Sequence, residues 1–447
     1  AGRKNVAIGY DALSTQNNNA DTFNTAVGFD AGKAVTTGVQ NTILGAGAGD
    51  ALTNADSNVA IGYLSLTTDT LGSRAVAVGQ GALFSQNFTT ATSSYNVAVG
   101  YETGGGITTG FQNTLIGGFA GDALTDADYN VAIGYNCLTE DTLGSRSVAI
   151  GRAALEVQNF TTATNAYNVA VGYKAGGTVT TGINNTIVGG LAGDALTVGS
   201  GNIAVGINSL GSDTKGSHAV GIGNGALFAQ NFTTATDAFN VGIGYAAGNA
   251  VTTGVGNTLI GASAGDALTE GLSNIAVGYL TAFSAVDVDA EFVIGAGVAG
   301  SGGSTITIGS GAGKISNTFT SNATWAQSSD SRLKTNVQTD SLGLSFINRL
   351  NPVTYNWKPS NEIDTSLPYY KEVNERDTEV TMHGLVAQQV KTALDAEGVD
   401  TFAGWATGLD GVQTISREMF VSPLVKAVQE LSTALDAALA RIATLEG

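Results

Sequence analysis

"NVAIG", residues 58–62, is a five-residue stretch that recurs with small changes along most of the chain. Its relatives include "NVAIG" at 5–9, "NTAVG" at 24–28 and "NTILG" at 41–45. The closing glycine serves as a marker: Gly28, Gly45, Gly62, Gly79, Gly100, Gly117, Gly134, Gly151, Gly172 and onward to Gly295. The steps run 17, 17, 17 and 21 and then repeat, giving a four-coil unit that carries Gly28 to Gly100, Gly100 to Gly172 and Gly172 to Gly244. A fixed period of this kind marks a solenoid, in which each coil stacks on the one before it.

Within the motif, strand alternation sets Val59 and Ile61 on one face and Asn58 and Ala60 on the other. Bulk assigns the first face to the interior, so Ile61, Ile133, Val205 and Val277 are expected to be buried. The Ala/Asn face is then left flat enough for the close approach of another surface, including a second copy of the chain. Asparagine returns at 24, 41, 58, 96, 113 and 130, a spacing that stacks it into a side-chain ladder. Ala75, Ser147 and Ala219 replace it in the fourth coil of each unit. The four extra residues of each long coil fall in "LFSQNFTTATSSYN" (83–96) and its copies at 155–168 and 227–240, predicting a corner that bulges from the shaft.

Composition fits this reading. The chain has 62 glycines in 447 residues, only 13% charged residues and a net charge of −18. That charge argues against nucleic acid or an anionic membrane as partner. The single cysteine, Cys137, excludes an intrachain disulfide. No apolar run approaches the roughly 18 residues that a membrane-spanning helix needs. Asp50, Asp122, Asp194 and Asp266 recur only once per four-coil unit, too sparsely for a tandem calcium site, so no metal is expected. "GIGNGAL" at 221–227 has no helix to follow it and is no dinucleotide loop. No unique carboxylate pair suggests glycan cleavage, and no cofactor is expected.

Over residues 1–309 the Asn-x-Ala-Ile-Gly core resembles the head repeats of trimeric YadA-like autotransporter adhesins, and similar repeats are frequent in phage fibres. The resemblance implies a left-handed parallel β-roll with three chains packed along a common axis. The 17/21 spacing departs from the shorter coils of that family.

The seam to a second region lies at "SSDSRLKTNV", residues 328–337. All four prolines and two of the three tryptophans come after it. "SDSRLKTNV" (329–337), "LSFINRLNPVTYNWK" (344–358) and "HGLVAQQV" (383–390) follow in order. Together they resemble the self-cleaving intramolecular chaperone of endosialidase-type phage tail spikes and fibres. The resemblance implies that Ser329 is the nucleophile, Lys334 its base, and Ser328–Ser329 the bond cut. It also puts His383 and Gly384 near the reaction centre. Such a pair makes chemical sense, because a serine hydroxyl attacks well only when a base takes its proton, and a lysine can do so once desolvated.

Residues 421–446 carry Leu424, Val428, Leu431, Leu435, Leu439, Ile442 and Leu445, an average step near 3.5 that predicts a short coiled coil. The expected architecture is an all-β trimeric parallel β-solenoid over 1–309 and a neck over 310–328. A small α+β chaperone over 329–447 follows, ending in a trimeric coiled coil. The expected function is a viral tail-fibre or spike protein, a receptor-binding or structural shaft. Its partners would be two further copies of itself, a host-surface receptor or glycan, and other tail proteins. It would be located extracellularly on the virion, without membrane insertion, and any catalysis would be a single self-cleavage. The alternative is a cellular trimeric surface adhesin or appendage subunit.

Overall fold

A computed structural model describes residues 3–446 apart from 312, 320–325, 328, 368, 375 and 409. The chain divides into two compact units, residues 1–328 and 329–447.

The first unit is a β-solenoid of about 18 turns. Its coils contribute three-residue strands such as Thr25–Val27, Thr42–Leu44 and Val59–Ile61, each paired in parallel and in register with the next. The resulting sheet has 20 strands. It ends where Gly313–Thr318 folds back antiparallel on Thr305–Ser310 and Ala326–Gln327 joins it. The described parts of 310–328, expected as a neck, therefore continue the sheet.

The inward face is the reverse of the one that bulk suggests. From Thr25–Val27 to Ile275–Val277 the middle residue of the three-residue strands (Ala26, Ile43, Ala60, Ala77, Leu115) is fully buried, and so are the ladder residues Asn24, Asn41 and Asn58. Ile61, Ile133, Val205 and Val277 are only half-buried, covered by their counterparts in neighbouring coils. The reason is the thinness of the coil. Its interior takes bulk from corner leucines, Leu66, Leu83 and Leu138, and the strand centres of those coils are the alanines Ala60, Ala77 and Ala132. Where the strand centre is Ile43, the corner position becomes Gly49, where an added Cβ would lie 2.8 Å from Leu52 Cδ1 and 3.5 Å from Ile43 Cδ1. Bulk thus moves between two sites while the packed volume is kept.

Within each four-coil unit the asparagines form a buried ladder. Asn41 N–H donates to Asn24 Oδ1 (2.8 Å) and Asn58 N–H to Asn41 Oδ1 (2.9 Å). The Asn41 amide also donates to the Ala55 carbonyl (2.8 Å), and that of Asn58 to Gly72 (2.9 Å). Each rung thereby satisfies backbone groups that a tight corner would otherwise bury unpaired. The marker glycines are obligatory: Gly134 has φ +144°, and a Cβ there would sit 2.4 Å from the Gly151 carbonyl oxygen.

The long coil explains its own substitution. Gln86, carried on the extra residues, reaches inward beside the place where Ala75 interrupts the ladder. Its Oε1 accepts from Asn96 Nδ2 (2.8 Å), and its Nε2 donates to Asp69 Oδ2 (2.5 Å). Asp69 Oδ1 accepts from Gly72 N (2.9 Å) and Phe88 N (3.1 Å). Burial pushes the Asp69 and Asp141 carboxyls above the usual aspartate range, against the pull of these hydrogen bonds. Phe88 is buried and only Thr89, Thr90 and Ala91 stand out as a tip, so the bulge is chiefly a structural corner.

The second unit holds a small core of Leu342, Phe346, Val390, Ala393, Leu394 and Phe420. Helix α1 (Leu344–Arg349) and helix α2 (Ala387–Ala396) supply most of it. Helix α3 (Val421–Glu446) covers one side only through its first turns, where Pro423 and Ala427 are buried. Glu430 of α3 accepts the Leu344 N–H (2.7 Å), capping α1, which begins at Gly343 with no side-chain cap of its own. From Leu431 onward every described residue of α3 is exposed. Two antiparallel strand pairs complete the unit, Val353–Tyr355 with Met382–Gly384 and Trp405–Thr407 with Gln413–Ile415. No described helix is long and apolar enough to cross a membrane.

Candidate self-cleavage site

Residues 329–334 are organised by a single turn of 3-10 helix, Ser331–Leu333. Asp330 begins it, its side chain accepting the Arg332 N–H at 2.8 Å. The Arg332 guanidinium closes back on the same carboxylate with a fork, Nε to Oδ1 at 3.0 Å and Nη2 to Oδ2 at 2.8 Å. Paired donors on one carboxylate fix direction as well as distance. Hydrogen bonding to Arg332 holds the Asp330 carboxyl below its usual range and raises the guanidinium. Lys334 N–H donates to the Ser331 carbonyl (3.1 Å) and ends the turn.

The consequence is a compact hairpin of side chains. Lys334 Nζ lies 2.7 Å from Ser329 Oγ, donating to it. The two side chains that the sequence singled out are thus in direct hydrogen-bond contact. Both are exposed in the single chain. An ammonium can only donate. To activate the serine, the same contact must run the other way, with a neutral Lys334 receiving the hydroxyl proton. Ser328, whose carbonyl the resemblance makes the target, lies outside the described residues.

His383 and Gly384 lie on a strand of the same unit. His383 sits exposed in the strand Met382–Gly384, opposite Thr354. Gly384 lies against Arg417 and Tyr355, where an added Cβ would be 3.1 Å from Arg417 Nη2. Among the described residues no hydrogen bond joins either to Ser329 or Lys334.

Sequence reasoning missed two features. The parts played by Asp330 and Arg332 were legible as a capping acid followed two residues on by arginine. The other is a cavity of about 590 Å³ in the second unit, walled by Tyr355, Trp357, Tyr369, Leu385 and Ile415. Arg376 lies over both Trp357 (5.0 Å) and Tyr369 (5.6 Å). These three are spread over residues 357–376, and only folding gathers them. Among the described residues no group of three or more His, Cys, Asp or Glu forms a metal site.

A long β-solenoid followed by a compact unit with a free-standing terminal helix defines a shaft-and-terminal-unit architecture. Residues 329–399 match the family described as "Chaperone of endosialidase". The match starts at Ser329, the first residue of the second unit. It supports a C-terminal chaperone segment on a repeat shaft. No curated protein and no solved structure matches the chain.

Proposed function

We propose that the chain is one strand of a homotrimeric fibre or spike of the viral tail-fibre kind, a shaft for attachment or spacing whose C-terminal chaperone drives assembly and then releases itself. The observation that carries this reading is a pair of apolar surfaces left open in the single chain. One is the outward double row of the solenoid, with members such as Val59, Ile61, Val131 and Ile133 repeated coil after coil. The other is the stripe on α3 from Leu424 to Leu445, whose residues are all exposed, Leu431 at 57%. Monomeric proteins rarely leave such continuous apolar surface to water. Copies packed about one axis would cover both.

The chaperone has a physical task. Registering three solenoids depends on contacts between distant chain segments, which form slowly. A short coiled coil that gathers three C-termini raises their local concentration before the shafts align. In the assembled state a partner could dehydrate Lys334, which favours its neutral form. Ser329 Oγ then attacks the Ser328 carbonyl carbon while Lys334 takes its proton. The Ser328–Ser329 C–N bond breaks, an ester to Ser329 Oγ forms, and the Ser329 α-amine receives a proton. Water then hydrolyses the ester.

Intact-mass measurement on the assembled protein tests the cleavage. Wild type is expected as two fragments divided before Ser329, and Ser329→Ala and Lys334→Ala as full-length chains that still assemble. Cleavage of Ser329→Ala at the wild-type rate would remove Ser329 as nucleophile. Light scattering that gives a monomer would remove the trimer. A cellular surface adhesin is the second reading, supported by the Asn-x-Ala-Ile-Gly core. A membrane-anchor domain encoded with the chain would favour it, and neighbouring tail genes would favour the fibre.

A further inference from the structure

Three places on the molecule hold unassigned chemistry: the aromatic cavity of the second unit, the Arg–Tyr corners that recur in the long coils, and a cleft on the first repeat unit of the shaft. The cleft carries the argument furthest. It encloses about 330 Å³, at the small end of the range of about 300–1,000 Å³ typical of small-ligand sites. Tyr63 and Phe84 form its walls and remain 55% and 42% exposed. Gln80, Glu102 and Asp122 supply its polar groups. Gly81 leaves the floor open, since a Cβ there would close to 3.3 Å from Glu102 Cγ.

The neighbouring repeat makes this lining conspicuous. One unit further on, Gln80, Gly81, Phe84 and Glu102 are replaced by Arg152, Ala153, Glu156 and Lys174. The frame around them keeps its marker glycines, its asparagine ladder and its buried Asp–Gln node. Packing of the coil therefore does not require Gln80, Phe84 or Glu102, because a coil of the same geometry forms with others in their places, while Tyr63 and Asp122 recur as Tyr135 and Asp194. In that next repeat of the shaft a lysine replaces the glutamate, and the Lys174 charge acts on Asp194. In the first, two carboxyl groups face each other instead: Glu102 takes a hydrogen bond from Tyr101 and its charge adds to the burial that raises Asp122.

We infer that this cleft, formed by Tyr63, Phe84, Gln80, Glu102 and Asp122, is a binding site for a neutral saccharide. The inference rests on the proposed attachment role and gives it a location and a ligand class. A pyranose presents C–H groups on its faces and hydroxyls at its rim. The former suit the exposed rings of Tyr63 and Phe84, and the latter can donate to the acceptor oxygens of Gln80, Glu102 and Asp122. The chain carries a net charge of −18 and the cleft holds two acids and no base, so an anionic sugar would be repelled.

The test exchanges the lining for that of the next repeat, through Phe84→Glu with Glu102→Lys in the full chain. Binding is measured on an immobilised panel of neutral hexose and N-acetylhexosamine oligosaccharides, with thermal unfolding and light scattering in parallel. Wild type is expected to bind at least one member of the panel. The exchanged variant should bind it at least about tenfold more weakly, with unfolding temperature and oligomeric state unchanged. Undiminished binding by the variant overturns the cleft while leaving the attachment role standing. A variant that changes oligomeric state also overturns it, and makes the cleft a chain–chain contact. Wild type that binds no glycan but still adheres to bacterial cells overturns the ligand class alone. Wild type that does neither removes the attachment role as well.

Discussion

In residues 1–328 most side chains meet their own counterpart 17 or 21 positions along the chain, whereas residues 329–447 fold around a few dissimilar contacts, each made once. The shaft distributes its stability over many near-identical rungs. The terminal unit concentrates it in six buried side chains around Phe346 and leaves most of its longest helix uncovered. The comparison teaches where each region can tolerate change. A repeated contact is strict, because the next coil must reproduce its geometry. A solitary contact answers only to itself, and the terminal unit leaves its longest helix exposed from Leu431 onward.

Glycine gives the strongest way to break this contrast. Gly134→Val would drive a branched side chain into the Gly151 carbonyl from a backbone angle of φ +144°. It is expected to cost more than about 3 kcal/mol and to leave the shaft locally unfolded, visible as lost thermal cooperativity and new protease cutting. Gly398 of the terminal unit also has a left-handed φ (+66°) but nothing within 4 Å of an added Cβ. Gly398→Ala should therefore cost only about 1–2 kcal/mol.

A rung of the ladder should come next. Asn130→Ala removes the acceptor of the Ser147 N–H (2.9 Å) and the donor to the Gly144 carbonyl (2.9 Å). Two buried backbone groups left unpaired predict a loss of roughly 2–6 kcal/mol, read as a shifted denaturation midpoint. In the terminal unit, Leu435→Ser with Leu439→Ser touches no packed surface of the single chain. It should weaken association at least about a hundredfold by sedimentation while the aromatic circular dichroism of the Phe346 core is kept.

The smallest effect sharpens the contrast through pH. Burial raises the Asp69 and Asp141 carboxyls, so the folded shaft binds these protons more tightly than the unfolded chain. The stability they contribute is complete below the ordinary aspartate pKa of about 3.9 and is lost as pH rises through their raised values. Replacing both by asparagine should flatten that part of the stability–pH curve. An unchanged slope would show that other groups set it.

Much of the shaft could be read before folding, because repetition makes the period, the marker glycine and the asparagine ladder visible as text. Which face turned inward could not. Val59 and Ile61 look like core beside Ala60, but the coil is so thin that its bulk comes from Leu66, seven positions from Val59 and outside the strand. The Ser329–Lys334 pair was legible through the resemblance its motif carries, and the turn that Asp330 and Arg332 hold, which closes the contact, emerged only with the fold. The Trp357–Tyr369–Arg376 cluster was not, since its spacing carries no period. The Tyr63–Phe84 cleft stayed hidden for a subtler reason: Gln80, Phe84 and Glu102 occupy positions where the repeat varies, and variation within a repeat reads as noise until the coils are stacked.

Glu291 occupies the place where the next asparagine would fall after Asn274. Its N–H donates to Asn274 Oδ1 (2.8 Å), while its carboxylate is taken up by Ser284 N (2.8 Å), Ser284 Oγ (3.0 Å) and Gly302 N (2.7 Å). A carboxylate has no amide hydrogen to offer to a further coil, so the asparagine ladder ends at the glutamate, one parallel strand pairing before the sheet turns back. Everything upstream of it is modular. Four coils stacked about 4.8 Å apart add about 19 Å, so duplicating residues 100–171 should lengthen the shaft by that increment without disturbing its end. The molecule behaves as a ruler graduated at every fourth coil, its asparagine rungs ending at a single acidic side chain.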